Sequence, residues 1–336
     1  MSWYNLPGPE SDVVVSTRCR FARNHRDYKF PSKMSPEDKE RLISEISERF
    51  FEDGANKESF CLIKTGELKS SELLTLFEKH LISLDLVKAP KNSALLLRSD
   101  EEVSIMLCEE DHIRLQAILP GFQPNEALAL AEKYEKFLSG KIPFAENEKF
   151  GFLSSCPTNV GTGMRVSAML HLPALTMTKR IGETLNSLGK LGLSMRGMYG
   201  EGTGAGGALY QISNQVSLGI GCEELARRVG TVIRRTADAE MKMREAILQK
   251  NTSEIKNRCM RSLAMLKNSY SLSFAELLSF LSDVRMGSSL GIADVPYNNI
   301  SNLLVSAAPA CIISSEGITD TEKRDIRRAE MAKELL

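Results

Sequence analysis

Histidine is scarce in this 336-residue chain: there are four, never closely spaced, and no Cys-x-x-Cys pair accompanies them. That argues against a zinc site or other dedicated metal centre. The seven cysteines, odd in number and scattered, do not make a disulfide framework either, and such usage fits a reducing cytoplasm. No apolar run approaches the ~20 residues that cross a bilayer. The opening MSWYNLPGPE lacks the basic and apolar regions of a secretion signal. Net charge is missing too, since 43 Lys+Arg offset 43 Asp+Glu. A nucleic acid or membrane surface is therefore not expected as the main partner. The cations have to matter through where they converge.

What is present reads as an ordinary folded protein, 42% hydrophobic and 26% charged, long enough for about two domains. The stretch Ser154–Arg165, SSCPTNVGTGMR, is the focus. Gly161 and Gly163 allow a backbone with φ > 0 or a close approach to a ligand, and amides so exposed favour anions. Arg165 adds a planar cationic fork suited to phosphate oxygens. Cys156 is a nucleophile-like or charge-bearing sulfur if positive charge surrounds it. The segment is not a P-loop, because no lysine follows the glycines.

Asp12–Arg20 reads as a strand with Arg18 and Arg20 on one face and Thr17 and Cys19 on the other. Two like charges so placed repel unless an anion lies over them. Ser35–Asp53 is predicted as a helix capped by Ser35 with Pro36 in its first turn. Gly54–Glu67 is predicted as a strand with flanking turns, and Ser71–Ile82 as a helix carrying His80. Ser93–Arg98 and Val103–Cys108 form paired strands. The second of them runs into Glu109, Glu110 and Asp111, three adjacent carboxylates that are costly there unless they meet cations, metal or substrate. Asn125–Leu138 is an amphipathic helix, and Val166–Leu188 carries helical patterning interrupted by Pro173. Leu193–Tyr199 and Leu209–Leu218 read as strands around a glycine-rich loop, Gly200–Gly207, that contains Glu201. The composition changes at 219–222. Helices then dominate, with capping boxes at Ser273/Glu276 and Thr319/Glu322. The division expected is a domain over 1–220 and a helical domain over 221–336.

Four ordered segments carry a resemblance: STRCRFARN at Ser16–Asn24, EEDHIR at Glu109–Arg114, CPTNVGTGMR at Cys156–Arg165 and RGMYGEG at Arg196–Gly202. Together they resemble the phosphagen (guanidino) kinase superfamily, and within it the bacterial protein-arginine kinases. The resemblance implies an α+β fold, a mostly antiparallel glutamine-synthetase-like sheet flanked by helices, with an all-α C-terminal domain. It implies ATP and Mg²⁺, with Arg18, Arg20, Arg114, Arg165 and Arg196 on the nucleotide phosphates and His80 near the adenine. Glu110 and Glu201 would grip the acceptor guanidinium, Glu110 as base, while Glu109 contacts metal-bound water. Cys156 would lie beside the acceptor as a thiolate. The first arginine motif begins at Ser16, leaving no room for the helical domain that encloses small guanidines, so a site open to a protein surface is expected.

In the helical domain, RDIRRA at Arg324–Ala329 resembles a phosphoarginine-binding segment, with Arg324 and Arg328 four apart on one face and Asp325 toward the guanidinium. The family also implies substrates with exposed arginine, a separate small zinc-binding activator and the Clp protease system. A homodimer is expected from the apolar helical stripes. Two departures stand out: Cys108, where the family usually has Asn, is expected to alter hydrogen bonding near the nucleotide. Met169 occupies a second base-contacting histidine position, with His171 displaced. The competing readings are a kinase for a small guanidine and an inactive phosphoarginine-binding adaptor.

Overall fold

The computed structural model describes residues 1–198 and 206–336. The chain enters on β1 (Val14–Arg23), then runs through α1 (Pro36–Phe50), α2 (Gly54–Ser59) and β2 (Phe60–Lys64). Next come α3 (Ser70–Glu78), α4 (Leu84–Lys88) and a meander of β3 (Ala94–Arg98), β4 (Val103–Leu107) and β5 (Ile113–Pro120). Helix α5 (Pro124–Ser139) and a short hairpin, β6 (Glu146–Asn147) with β7 (Gly151–Phe152), lead to β8 (Met164–His171). Then follow α6 (Pro173–Met177), α7 (Ile181–Lys190), β9 (Leu193–Gly197) and β10 (Leu209–Asn214). Eight strands form one antiparallel sheet in the order β2-β3-β4-β5-β1-β8-β10-β9.

Register decides what each face carries, because directly paired residues point to the same side. Arg20 on β1 stands opposite Gln116 of β5 and Arg165 of β8, and Ala22 stands opposite Arg114. Ser16 pairs with Met169, Met169 with Gln211, and Gln211 with Arg196 on β9. Arg18, Arg20, Arg114, Arg165 and Arg196 therefore share one face. The opposite face is apolar: Cys19, Phe21, Leu115, Val166, Ala168 and Ile212 are buried there under α1, α5 and a later helix.

That later helix is α8 (Cys222–Lys250), which begins where the composition changes. Its Leu225, Val229, Ile233 and Ala237 belong to the same core as the sheet. Five further helices follow, α9 (Thr252–Asn268), α10 (Phe274–Ser289), α11 (Tyr297–Ser306), α12 (Pro309–Glu316) and α13 (Thr321–Leu335). Of these, α9, α10, α11 and α13 bury a second core around Leu266, Leu277, Leu281, Val284 and Leu303, while α12 packs on α3. Leu278 and Leu304 of this bundle pack on Val15, Met169, Met198 and Leu209 at one end of the sheet. A fully buried ion pair reinforces the junction. Arg244 of α8 pairs with Glu240 and donates to the His171 carbonyl at 2.8 Å and to Ser289 Oγ at 2.7 Å. None of the described helices is long and apolar enough to cross a membrane.

Several local expectations are corrected. Val166–His171 is strand rather than helix. Its Ala, Met and Leu favour helix locally, but between β1 and β10 they are buried on both faces, where a continuous apolar run serves either structure. Residues 54–59 form a helix before β2 begins, capped by Asp53. The strand β5 was not foreseen beyond Arg114. Helix α3 ends at Glu78, so His80 lies past it, with φ +61°. Asp320, not Thr319, caps α13 by accepting the Lys323 amide at 2.9 Å. The Ser35 cap and the Ser273/Glu276 capping box form as expected.

Candidate active site

The arginine face lines a cleft of about 460 Å³ whose wall carries Arg18, Arg20, Arg114, Arg165 and Arg196 with His80, Glu110 and Cys156. Arg18 donates to Gln211 Oε1 at 3.0 Å, and Arg165 donates to Ser213 Oγ at 3.0 Å. Arg20 differs: its Nε and one Nη are buried with no hydrogen-bond partner among the described residues. Burial, with the charges of Arg18, Arg165 and Arg114, pushes the Arg20 pKa well down. Burial and then Arg165 and Arg114 push Arg18 down to about 10. Converging cations with unmet donors fit a ligand that brings several anionic oxygens, and a polyphosphate has that chemistry.

The two glutamates beside the cleft are driven apart. Glu109, 3% exposed, is held by an ion pair to Arg114 and by the Ser83 hydroxyl at 2.6 Å. Burial alone would raise its carboxyl, but Arg114, the Glu110 amide and Ser83 outweigh that and hold it below the ordinary glutamate value. Glu110, 40% exposed, lies 3.5 Å from Arg114. Its carboxyl is raised by burial, opposed by Arg114 and pushed further by Asp111 and Glu109. Adjacent carboxylates tuned in opposite directions separate a permanent anion from a proton acceptor. Glu109 is spent on orienting Arg114. Among the described residues no group of three or more His, Cys, Asp or Glu could hold a metal ion.

Cys156 precedes a short turn, with its Sγ 3.1 Å from Thr158 Oγ1. The glycines take the positive φ expected of them, but the Gly161 amide donates to the Phe152 carbonyl at 3.3 Å instead of standing free for an anion. Gly161 has φ +114° and Gly163 φ +60°, and a Cβ on Gly163 would lie 2.6 Å from both the Ala22 carbonyl and Arg23 Nη1. Arg23, missed by the sequence reading, pins this turn from below. It donates to the Thr162 carbonyl at 2.9 Å and to Glu135 at 2.8 Å, with Phe152 stacked 3.7 Å from its guanidinium. Asp111, expected to meet a cation, metal or substrate, is held instead by Asn24, Ser154 and the Ser155 amide, and these bonds join the Glu110 turn to the Cys156 loop. Asn24 and Ser154 stand inside the singled-out segments, but residue order gave them no role.

His80 borders a smaller recess with Arg18, Met169 and Gln211, and its carbonyl accepts from Gln116 at 2.6 Å. Burial and the Arg18 charge push its pKa down to about 3, so the ring is neutral. His171 is turned away, 2.8 Å from Ser282 Oγ in the bundle, while Met169 occupies the recess. The Cys108 thiol lies in the core near the Lys39 carbonyl rather than beside the cleft. Its departure from asparagine acts on the backbone instead, which has φ +57° there, a region asparagine tolerates better. Glu201 lies outside the described residues.

On α13, away from the cleft, Arg328 is 1% exposed and donates to the carbonyls of Ala307 (2.9 Å) and Leu272 (2.8 Å). Asp325 is paired to it. Arg324 donates to the Thr321 hydroxyl at 3.1 Å and keeps a buried Nε without a partner. The expected pair of forks on one solvent-facing surface is thus not what the helix presents, since Arg328 points into the bundle.

In one cleft the arginine face of the antiparallel sheet meets a raised carboxyl and a cysteine. The family model described as "ATP:guanido phosphotransferase, C-terminal catalytic domain" matches residues 41–243, and "Protein-arginine kinase McsB C-terminal domain" matches 252–336. The protein-arginine kinase of Bacillus subtilis (strain 168) is 41% identical, the match covering 100% of this chain and 93% of that one. That of Moorella thermoacetica is 40% identical over 99% and 97%. Among solved structures, a duplicated taurocyamine kinase from Schistosoma mansoni with bound transition-state-analogue components has a TM-score of 0.63 at 25% identity. The match covers 69% of this chain and 33% of that one. A lombricine kinase shares the fold, with a TM-score of 0.62 at 19% identity over 70% and 68%. This chain belongs to the protein-arginine kinase family.

Proposed function

We propose that this protein transfers the γ-phosphoryl group of ATP to the guanidinium of arginine side chains in other proteins. The observation that carries the reading is the cleft itself, where five arginines, one with orphaned buried donors, share a wall with Glu110 and Cys156. Arginine is the right residue for the donor half, because its charge persists across physiological pH and its fork matches phosphate oxygens. Phosphoryl transfer then depends on positioning and charge neutralisation more than on a protein nucleophile. Mg²⁺ would arrive on the ATP phosphates and neutralise charge developing on the leaving oxygen.

The acceptor is a cation with delocalised lone pairs and a pKa above ~12. A nitrogen of that guanidinium bonds to the γ-phosphorus as the bond from phosphorus to the ADP oxygen breaks. The proton displaced from that nitrogen passes to Glu110, whose raised carboxyl suits a base that must take and then release it. Cys156 lies beside the acceptor to polarise it, and Glu201 shares the grip by its place in the RGMYGEG motif. His80, neutral, faces the adenine.

Mg·ATP supplied with an arginine-rich protein, and separately with free arginine, tests this. Acid-labile phosphate on arginine side chains, lost in Glu110→Gln, is expected. Labelling of free arginine alone would select the small-guanidine reading instead. Family membership further supports a cytoplasmic homodimer, worked with a small zinc-binding activator, whose phosphoarginine marks substrates for Clp-type proteolysis. Phosphoarginine recognition on α13 belongs to the same proposal, with Arg324 as the contact and Arg328 and Asp325 as its scaffold.

A further inference from the structure

Asp111 has no part in the transfer just described, yet it is fully buried directly after Glu110. Its carboxylate accepts the Asn24 side-chain amide at 2.6 Å and the Ser155 backbone amide at 2.7 Å, and its two oxygens lie 3.1 and 2.9 Å from the Ser154 hydroxyl. Ser154 Oγ in turn accepts the Cys156 amide at 3.2 Å. Asn24 completes the knot: its Oδ1 accepts the His112 amide at 2.9 Å, and its Nδ2 also donates to the Leu153 carbonyl at 3.0 Å. A short path therefore runs from Glu110 through Asp111 and Ser154 to Cys156. All these donors to Asp111 are neutral. A buried carboxylate held only by neutral donors is expensive, and what it provides is short, directional, charge-assisted bonds.

We propose that Asp111 is a positioning residue that sets the separation of the Glu110 carboxylate, which grips the acceptor guanidinium, and the Cys156 thiol, which lies beside it. The inference rests on the acceptor role given to those groups above. The clamp makes no hydrogen bond or ion pair to the five arginines, and Asp111 acts on Arg114 only through space and after Glu109 and Glu110, so it governs the acceptor half of the cleft far more than the nucleotide half. Asp111→Asn removes the charge and, with its one oxygen kept toward the Asn24 and Ser155 N–H groups that share Oδ1, turns the acceptor that faces the Ser154 hydroxyl into a donor. Ser154→Ala removes the hydroxyl through which Asp111 reaches the Cys156 amide and leaves the Ser155 amide bond in place, and Ser154→Thr keeps the hydroxyl.

The test measures Mg·ATP affinity, kcat and acceptor KM for arginine phosphorylation, and the rate of Cys156 alkylation by iodoacetamide as a function of pH. A misplacement on the order of 1 Å is worth roughly 100-fold in rate. Expected for Asp111→Asn and Ser154→Ala is a loss of that order in kcat with raised acceptor KM, ATP affinity within about twofold of the parent, and a shifted alkylation profile, all restored in Ser154→Thr. Equal loss of ATP affinity and catalysis, or an unchanged alkylation profile in Ser154→Ala, overturns the proposal. The alkylation readout does not depend on activity. If the parent labels no protein arginine while the profile still shifts, the proposed function fails and the clamp stands.

Discussion

Replacing Arg20 with methionine separates what this side chain does for the fold from what it does for the nucleotide. Methionine keeps the length of the aliphatic stem and removes the charge. In the protein alone, Arg20 leaves Nε and one Nη buried without partners and sits among Arg18, Arg165 and Arg114, whose charges push its pKa down after burial does. Each unpaired buried donor costs about 1–3 kcal/mol, so relief of about 2 kcal/mol is a conservative expectation. Unfolding entropy of ~2.1 cal/mol/K per residue over 336 residues is about 0.7 kcal/mol/K. The free Arg20→Met protein should therefore melt about 3 °C above the parent. With nucleotide the order reverses. Two charge-assisted bonds of ~1.5–3 kcal/mol each are lost, weakening ATP by roughly 100- to 20,000-fold at ~1.4 kcal/mol per decade. Saturating Mg·ATP should raise the parent's melting temperature by linkage and hardly move the variant's. Calorimetric melts with and without Mg·ATP, together with a binding titration, decide it. A variant that melts below the parent when free, or that binds ATP equally well, refutes the account of a cation cluster built for an absent anion.

The raised carboxyl of Glu110 places the acidic limb of kcat/KM above the ordinary glutamate value, with activity lost as pH falls through it. Glu110→Gln should remove that limb and lower kcat by roughly 100- to 10,000-fold in a pH-rate series. The stability linkage has opposite signs for the neighbours. Glu110 alone favours the fold as pH falls from its raised pKa down to the ordinary glutamate value. Glu109, held low, contributes stability at neutral pH that is lost on acidification through its own lowered pKa. Gly163→Ala forces a Cβ to 2.6 Å from the Ala22 carbonyl at φ +60° and should destabilise by more than about 1 kcal/mol in urea titration while disordering the Cys156 turn. Glu240→Leu strands the fully buried Arg244 and should cost about 3–5 kcal/mol by urea denaturation, with much of it recovered in the Glu240→Leu/Arg244→Met double variant.

The site was more legible than the fold around it. The spacing of Arg18 and Arg20 already put both on one face, and glycines at 161 and 163 already implied backbone that only glycine takes easily. Those are local statements, set by side-chain alternation and by the absence of a Cβ. His80 was placed near the nucleotide by motif, but its position beyond the end of α3, neutralised beside Arg18, needed the structure. Val166–His171 reads as helix because a strand buried on both faces has no alternation to betray it.

Residue order alone determined which groups exist and how their nearest neighbours point: paired acids, cysteine before proline, arginines two apart, caps at Ser35 and Ser273. It could not determine that Arg114, Arg165 and Arg196 would join Arg18 and Arg20, since a slip of one residue between strands sends every side chain to the other side. Nor could it show that Arg328 turns inward while Arg324 does not, or that Asp111 ties two distant motifs together. Those outcomes depend on pairing register and on which polar atoms burial leaves in want of partners, and both are properties of the assembled chain.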